Sequence, residues 1–343
     1  MSQTRTIGID TAKRVFFLHA EDANGKIIVR EKLSRERLLP FLANQPVSTV
    51  AIEAGCGAHH WARAFTSLGH RVLLIHAKFV RPFVKTNKND WNDAAAICEA
   101  AQRPTMRFVA PKSLEQQDLL AIHRIRERLV SQRTGLCNQI RGLLAEYGIV
   151  LPQAIARLRR EVPLVLEDAE NELTVRGREL IASLLQELRD LEERIKPYAQ
   201  AIELASVESS TCKRLRSIPG IGPIGATAVV ATMGDPKAFK NGRHFAAFLG
   251  LVPRQHSSGG KSQLGRISRR GDIYVRRILI QGAHSILRRI DVGDGPRTDW
   301  LRGLMARRGR QVAAVALANK NARIAWRLLS HETYYNEALA AMA

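Results

Sequence analysis

Apolar positions recur along this chain with two different periods, and the change of period divides it. Over the first 110 residues or so, short apolar runs alternate with helical patterns. Thr6 to Ile9 reads as a buried strand and Val15 to Ala20 as a second, with Asn24-Gly25 as a hairpin turn into a third over Lys26 to Lys32. Ser34 is placed to cap a helix to about Asn44. Thr49 to Glu53 predicts a fourth strand, His59 to Leu68 a helix, Arg71 to Ile75 a fifth strand, and Asn89 caps a helix reaching about Ala101. From about Ser113 to Ser206 the period is helical throughout. Ile181, Leu184, Leu188, Leu191, Ile195, Tyr198 and Ile202 follow a heptad spacing, the seam of a coiled coil, and Ile122, Ile125, Leu129 and Leu136 do the same earlier. A helical hairpin within one chain would cover such a seam. Its narrowness and charged flanks favour a dimer-forming arm, kinked at Pro197.

Three hairpin-linked strands, then helix, strand, helix, strand, helix, is the element order of an α/β RNase H-like fold. After Thr211 the pattern predicts a mostly α-helical region of short helices. There Ser217-Ile218-Pro219-Gly220-Ile221-Gly222-Pro223 has helix-hairpin-helix spacing. Gly220 and Gly222 permit a tight turn whose amides can meet a phosphate, although a plain interhelical turn would look the same. The expected divisions are 1–112, 113–207, 208–335 and a tail, 336–343.

Charge narrows the partners. Lys and Arg number 53 against 32 acids, a net charge of +21, which opposes compaction unless a polyanion offsets it. Nucleic acid is the expected polyanion. A membrane surface is the rival, but no basic amphipathic helix with an aromatic face stands out. No apolar run spans a bilayer, and Met1-Ser2-Gln3-Thr4-Arg5 leads into a strand with no signal-peptide core. Cys56, Cys98, Cys137 and Cys212 form no CxxC pair and read as buried apolar residues. The expectation is a cytoplasmic, nucleoid-associated protein.

Two groups of residues carry chemistry. Asp10 and Glu53 each follow an apolar strand, and Asp90 and Asp93 lie at i and i+3 on one helix face. Four such carboxylates predict a site for Mg2+, because phosphoryl transfer with metal ions needs convergent hard oxygen ligands. His59 and His60 read as capping or surface residues rather than ligands, and Glu21 and Asp22 as solvated. The second group surrounds Ser258 in Pro253-Arg254-Gln255-His256-Ser257-Ser258-Gly259-Gly260. Between Arg254 and Arg289 the cations are Arg254, Lys261, Arg266, Arg269, Arg270, Arg276, Arg277, Arg288 and Arg289, and the one acid is Asp272. This predicts a phosphate-binding loop around a serine nucleophile, with Ser257, Ser262 and Ser268 as competitors. Further along, Arg297, Arg302, Arg307, Arg308, Arg310, Lys320, Arg323 and Arg327 extend the basic surface.

With both groups in view, the chain resembles the DEDD-type insertion-sequence transposases of the IS110 family, which also contains the Piv-type DNA invertases. The matching marks are Gly8-Ile9-Asp10-Thr11-Ala12-Lys13, Ile52-Glu53-Ala54 and Lys88-Asn89-Asp90-Trp91-Asn92-Asp93-Ala94 at one end. At the other they are Ile218-Pro219-Gly220-Ile221-Gly222, the run from Phe245 to Arg254, and Ser258-Gly259. The resemblance implies a RuvC-like N-terminal domain, a coiled-coil middle and a C-terminal transposase domain with a catalytic serine at Ser258. It implies a tetrad of Asp10, Glu53, Asp90 and Asp93. It also implies double-stranded donor and target DNA as substrates and a structured guide RNA from the element's flank. Recombination handles four strand ends, which suits a homodimer assembling to a tetramer. A RuvC-like Holliday-junction nuclease would use the carboxylates without the serine. A Piv-type invertase would use the same chemistry on another arrangement of DNA, and a non-catalytic binding module would explain the charge alone.

Overall fold

The computed structural model describes residues 5–22, 25–85, 89–292 and 294–337. It comprises two compact units, Met1–Ser113 and Leu114–Ala343. Asn24 of the expected hairpin turn, Lys88 of the Lys88–Ala94 motif and all but the first two residues of the 336–343 tail lie outside the described residues.

The first unit is built on strands β1 (Thr6–Thr11), β2 (Val15–Glu21) and β3 (Ile27–Ser34), then helix α1 (Arg35–Ala43), β4 (Thr49–Glu53), α2 (Ala58–Ser67) and β5 (Arg71–Ile75). A short helix α3 (Ala77–Val80), α4 (Asp90–Ala101) and β6 (Phe108–Val109) complete it. The six strands form one sheet in the order β3-β2-β1-β4-β5-β6. β1 pairs antiparallel with β2 and parallel with β4, and β4 pairs parallel with β5. This is the topology that the element order predicted, with β6 added antiparallel to β5 as a two-residue edge too short to leave a periodic signal. Pleat alternation gives each strand two faces. Ile7, Ile9, Phe16, Leu18, Val50, Ile52 and Leu74 bury against Leu38 and Leu42 of α1 and Trp61, Ala62 and Phe65 of α2. The opposite face carries Ala51 and Ile75 against Ala96, Ile97 and Ala100 of α4. Ser34 occupies the N-cap of α1, but its side chain makes no cap bond.

The second unit begins with α5 (Leu114–Ala145), α6 (Ile155–Glu167) and α7 (Val175–Glu208). Most of the apolar stripe of α7 is buried, with Leu185 buried in place of the expected Leu184, and it is covered from inside the chain. Ile181, Leu188, Leu191 and Ile195 of α7 share one core with Leu129, Leu136, Ile140 and Leu144 of α5 and Leu158 and Val162 of α6. This corrects the expectation of a dimer-forming seam. The loop that carries α6 brings α5 back along α7, so the stripe finds its partner helix locally. Pro197 lies within α7 without ending it.

Beyond the helical hairpin come α8 (Ser210–Arg216), α9 (Pro223–Met233), α10 (Gly242–Phe248), strands β7 (Pro253–Ser258) and β8 (Lys261–Ile267), α11 (Ile273–Leu287), α12 (Pro296–Arg308) and α13 (Arg310–His331). α9 is buried along nearly its whole length, from Gly225 to Met233. An all-round apolar helix of this kind belongs in the middle of a core. Two features differ from the expected run of short helices: α13 has 22 residues, and the serine run is a β-hairpin. Cys98, Cys137 and Cys212 are buried free thiols, whereas Cys56 is exposed. No helix among the described residues is long and apolar enough to cross a membrane.

Candidate active site

On β1, Gly8 and Asp10 share the face turned toward α4. A Cβ at position 8 would stand 2.4 Å from the Ala94 carbonyl oxygen and 2.5 Å from the Cys98 nitrogen. Only glycine lets the helix backbone lie this close to the strand. The Cys98 thiol donates to the Thr6 carbonyl at 3.4 Å, so α4 runs antiparallel to β1. One turn before Ala94 is Asp90, which brings the first turn of α4 to the C-terminal end of β1. Ligand atoms of Asp10, Asp90 and Asp93 accordingly lie within 4.8 Å of one another. Asn89 caps the helix by accepting from the Asn92 amide at 2.8 Å, and the partial positive charge of that terminus favours the two carboxylates. Trp91 packs edge-on to Phe17 of β2 at 4.8 Å and lies under the Arg30 guanidinium, fixing the helix start laterally.

Glu53 ends β4, beside Asp10, because Ile9 pairs with Ile52. It is not one of the three carboxylates that converge, although it is near enough to act on Asp10 electrostatically. Burial, then Asp93, Asp90 and Glu53, push the Asp10 carboxyl up to about 6, with the Thr11 amide opposing. Hard oxygen donors that repel one another at this spacing fit a divalent metal ion. The histidines stay apart from the cluster: His59 Nδ1 accepts from the Lys112 amide at 3.2 Å, and His60 is exposed beside Trp61.

Ser258 is the last residue of β7. Gly259 and Gly260 form the turn with φ of 55° and 75°, the signature of a two-residue type I′ hairpin. Ser258 pairs with Lys261, Ser257 with Ser262 and His256 with Gln263. Paired residues share a face, so Ser258 stands with His256, Lys261 and Gln263, and Ser257 stands with Gln255, Ser262 and Leu264. The Gln255 side-chain amide donates to the Ser257 hydroxyl at 2.9 Å across that second face. Every residue of β7 is exposed, as is β8 up to Ile267.

The surrounding cations divide. Arg254, Lys261, Arg266, Arg269 and Arg270 are exposed. Arg276 is not a phosphate contact: it is 7% exposed, and its Nη1 donates to the Leu249 carbonyl at 2.9 Å and the Arg270 carbonyl at 3.2 Å. It ties the chain on both sides of the hairpin to α11, and its guanidinium is committed to the Leu249 and Arg270 carbonyls. Arg277 pairs with Glu127 of α5 and lies over the Tyr274 ring, so its charge too has an internal partner. Gly220 (φ 88°) and Gly222 lie between α8 and α9, as the spacing predicted, with Gly222 exposed at the N-cap of α9. Gly220 has a packing role as well, since a Cβ there would stand 2.9 Å from the Gly282 carbonyl oxygen of α11.

One buried group had no signal in the sequence. His123 of α5 is 1% exposed, with Nδ1 at 2.8 Å from the Tyr274 hydroxyl and Nε2 at 3.0 Å from Thr227 Oγ1. A lone histidine inside a helical period gives no hint of partners more than a hundred residues away.

An α/β sheet that presents an acidic cluster at the end of its central strand, followed by a helical unit, fits a nuclease-like domain joined to a helical remainder. The comparisons agree. Residues 7–149 match a family model for DEDD-type transposases, described as "Transposase", and residues 212–296 match "Transposase IS116/IS110/IS902 family". The chain is 47% identical over 332 residues to a "Probable family 20 transposase" of Pseudomonas aeruginosa, covering 96% of this chain and 98% of that one. It is 43% identical to the "Transposase for insertion sequence element IS1111A" of Coxiella burnetii, covering 98% and 92% of the two chains. With the "Transposase for insertion sequence element IS1328" of Yersinia enterocolitica the identity is 42%, covering 98% and 100%. The chain belongs to the IS110 family of insertion-sequence transposases.

Proposed function

We propose that this transposase is a magnesium-dependent recombinase that cuts and rejoins double-stranded donor and target DNA with Ser258 as nucleophile, guided by a structured RNA. The observation that carries the reading is the convergence of Asp10, Asp90 and Asp93 within 4.8 Å in a chain of a transposase family. Asp10, Asp90, Asp93 and Glu53 would hold Mg2+, which when bound would supply positive charge against the phosphoryl group. In the favoured division of labour, 1–112 supplies the carboxylates, 113–207 is a helical region, 208–335 supplies the serine, and 336–343 is a tail. Ser258 forms a phosphoserine link to a DNA end. Arg254, Lys261, Arg266, Arg269 and Arg270, together with the amides around Gly220 and Gly222, contact phosphates. The working unit is a homodimer that assembles to a tetramer on DNA. With the heptad seam closed inside the chain, this assembly rests on the need to handle four strand ends together.

The test is strand cleavage on end-labelled element DNA with flank RNA. Chelation of Mg2+ or Asp90→Ala abolishes cleavage and leaves nucleic-acid binding nearly intact. Denaturing gels show a protein-linked DNA band that Ser258→Ala removes and Ser257→Ala retains. Metal-dependent cleavage with no linked band in any variant would replace this reading with a RuvC-like nuclease.

A further inference from the structure

On the reading that Ser258 is the attacking hydroxyl, we propose that Lys261 is a second catalytic residue, whose ammonium holds the non-bridging oxygens of the phosphate that Ser258 attacks.

The hairpin register makes the case. Lys261 is the direct cross-strand partner of Ser258. Directly paired residues have Cβ atoms about 5 Å apart, whereas the next residue on the same face of one strand is about 7 Å away. Lys261 is therefore the charged side chain that the backbone holds nearest to the hydroxyl. The positive φ values of Gly259 and Gly260 fix this pairing through the turn itself, in a hairpin both of whose strands are exposed. The placement of Ser258 against Lys261 thus needs no side-chain packing.

The other face of the hairpin has no equivalent. Ser257 pairs with Ser262, and its hydroxyl accepts from the Gln255 amide. A neutral donor and a second serine offer nothing to a phosphate dianion-like transition state. Of the nearby arginines, Arg276 is engaged by the Leu249 and Arg270 carbonyls and Arg277 by Glu127, while the exposed Arg254 and Arg266 lie farther from the turn than the Ser258–Lys261 pair. The same register that gives Ser258 a cation across the strand gives Ser257 a serine, which favours Ser258 as the attacking hydroxyl.

The chemistry balances without a further reagent. The Ser258 Oγ–P bond forms as the P–O bond to the leaving sugar breaks. The serine proton passes to solvent water, and the leaving sugar oxygen takes a proton from water. Rejoining reverses both transfers, with a sugar hydroxyl attacking the phosphoserine. Charge in the transition state spreads over the non-bridging oxygens, and an ammonium held across the strand is placed to meet it.

The experiment measures the single-turnover rate of Ser258-linked adduct formation at saturating element-end DNA, with flank RNA present. Lys261→Ala and Lys261→Gln are expected to slow the saturated rate by about 10²- to 10³-fold, with DNA affinity changed by less than about threefold, and Lys261→Arg to recover part of the loss. Sulfur in place of a non-bridging oxygen at the scissile phosphate should slow the wild type by a larger factor than it slows Lys261→Ala. Circular dichroism and thermal melting of each variant confirm the fold, and the exposed Lys261→Gln serves where Lys261→Ala is unstable. An adduct that needs Ser258 but forms at the wild-type saturated rate in both Lys261→Ala and Lys261→Gln would overturn the proposal alone. An adduct that survives Ser258→Ala overturns the serine assignment and the proposal with it.

Discussion

Asp10 is held where its charge is costly. Burial and three neighbouring carboxylates raise its folded pKa to about 6 from an ordinary value of 3.8. For a carboxyl raised in this way, ionisation destabilises the fold above pH 6, and the penalty fades as pH falls from 6 towards 3.8. Asp10→Asn should therefore stabilise the metal-free protein at pH 7.5 by about 1–2 kcal/mol, after discounting for solvent screening, even as it abolishes cleavage. Thermal melting with and without Mg2+ checks this. The wild type should gain stability from the ion and the asparagine variant far less, whereas equal gains would place the cation elsewhere. His123 has the opposite sign. Thr227 Oγ1 donates to the Pro223 carbonyl at 2.7 Å, so it accepts from His123 Nε2–H, and Nδ1 accepts from the Tyr274 hydroxyl. Burial holds the imidazole neutral, with its pKa lowered to about 4. The unfolded chain takes up a proton near pH 6.5 that the folded chain refuses until about 4. Stability is thus intact above pH 6.5 and falls by up to about 3 kcal/mol as pH drops to 4. Urea midpoints across this range should fall more steeply for the wild type than for His123→Gln.

Elements show what a linear pattern can and cannot carry. The leucine seam of α7 was legible as a seam, but periodicity records only that a stripe is apolar, not which helix covers it. With Leu188 fully buried among residues of α5 and α6, Leu188→Ala should cost about 2–5 kcal/mol of unfolding free energy and leave the oligomeric state unchanged. Sedimentation alongside denaturation separates this from a dimer seam, in which the same change would first release monomers. The approach of Asp10, Asp90 and Asp93 was legible because each stands at a strand end or in a helix first turn, whereas Glu53, read from the same kind of position, is not part of the three-carboxylate cluster. What set the distance between them, Gly8 against Ala94 and Cys98, carries no periodic signal of its own. The serine hairpin escaped for a different reason: strand patterns are read from one buried face, and β7 has none. Arg276 was misread because a buried guanidinium and a phosphate-binding one look alike in a charge run, and only the Leu249 and Arg270 carbonyls tell them apart.

At the scale of the whole molecule, the net charge of +21 bears on how DNA is chosen. Exposed cations are spread over the hairpin at Arg254, Lys261 and Arg266 and over the junction of α12 and α13 at Arg307, Arg308 and Arg310. Such surfaces bind backbone phosphate, which positions a nucleic acid without reading it. Direct reading of a duplex uses a helix or ribbon fitted to the major groove with a few side chains aimed at base edges. Among the helices of the described residues none carries an obvious set of that kind, and the exposed β7–β8 ribbon is the one element shaped for it. Base pairing by an RNA would supply the missing specificity, leaving the protein only shape and backbone contacts to make. Two measurements follow. Binding should fall steeply as salt rises, because many counterions return to the phosphates. Recombination between matched donor and target DNA by purified protein should require RNA from the element's flank, and changing the pairing segment of that RNA should redirect the target. Full site-specific recombination after ribonuclease treatment would reject RNA guidance and assign the reading of sequence to the protein surface itself.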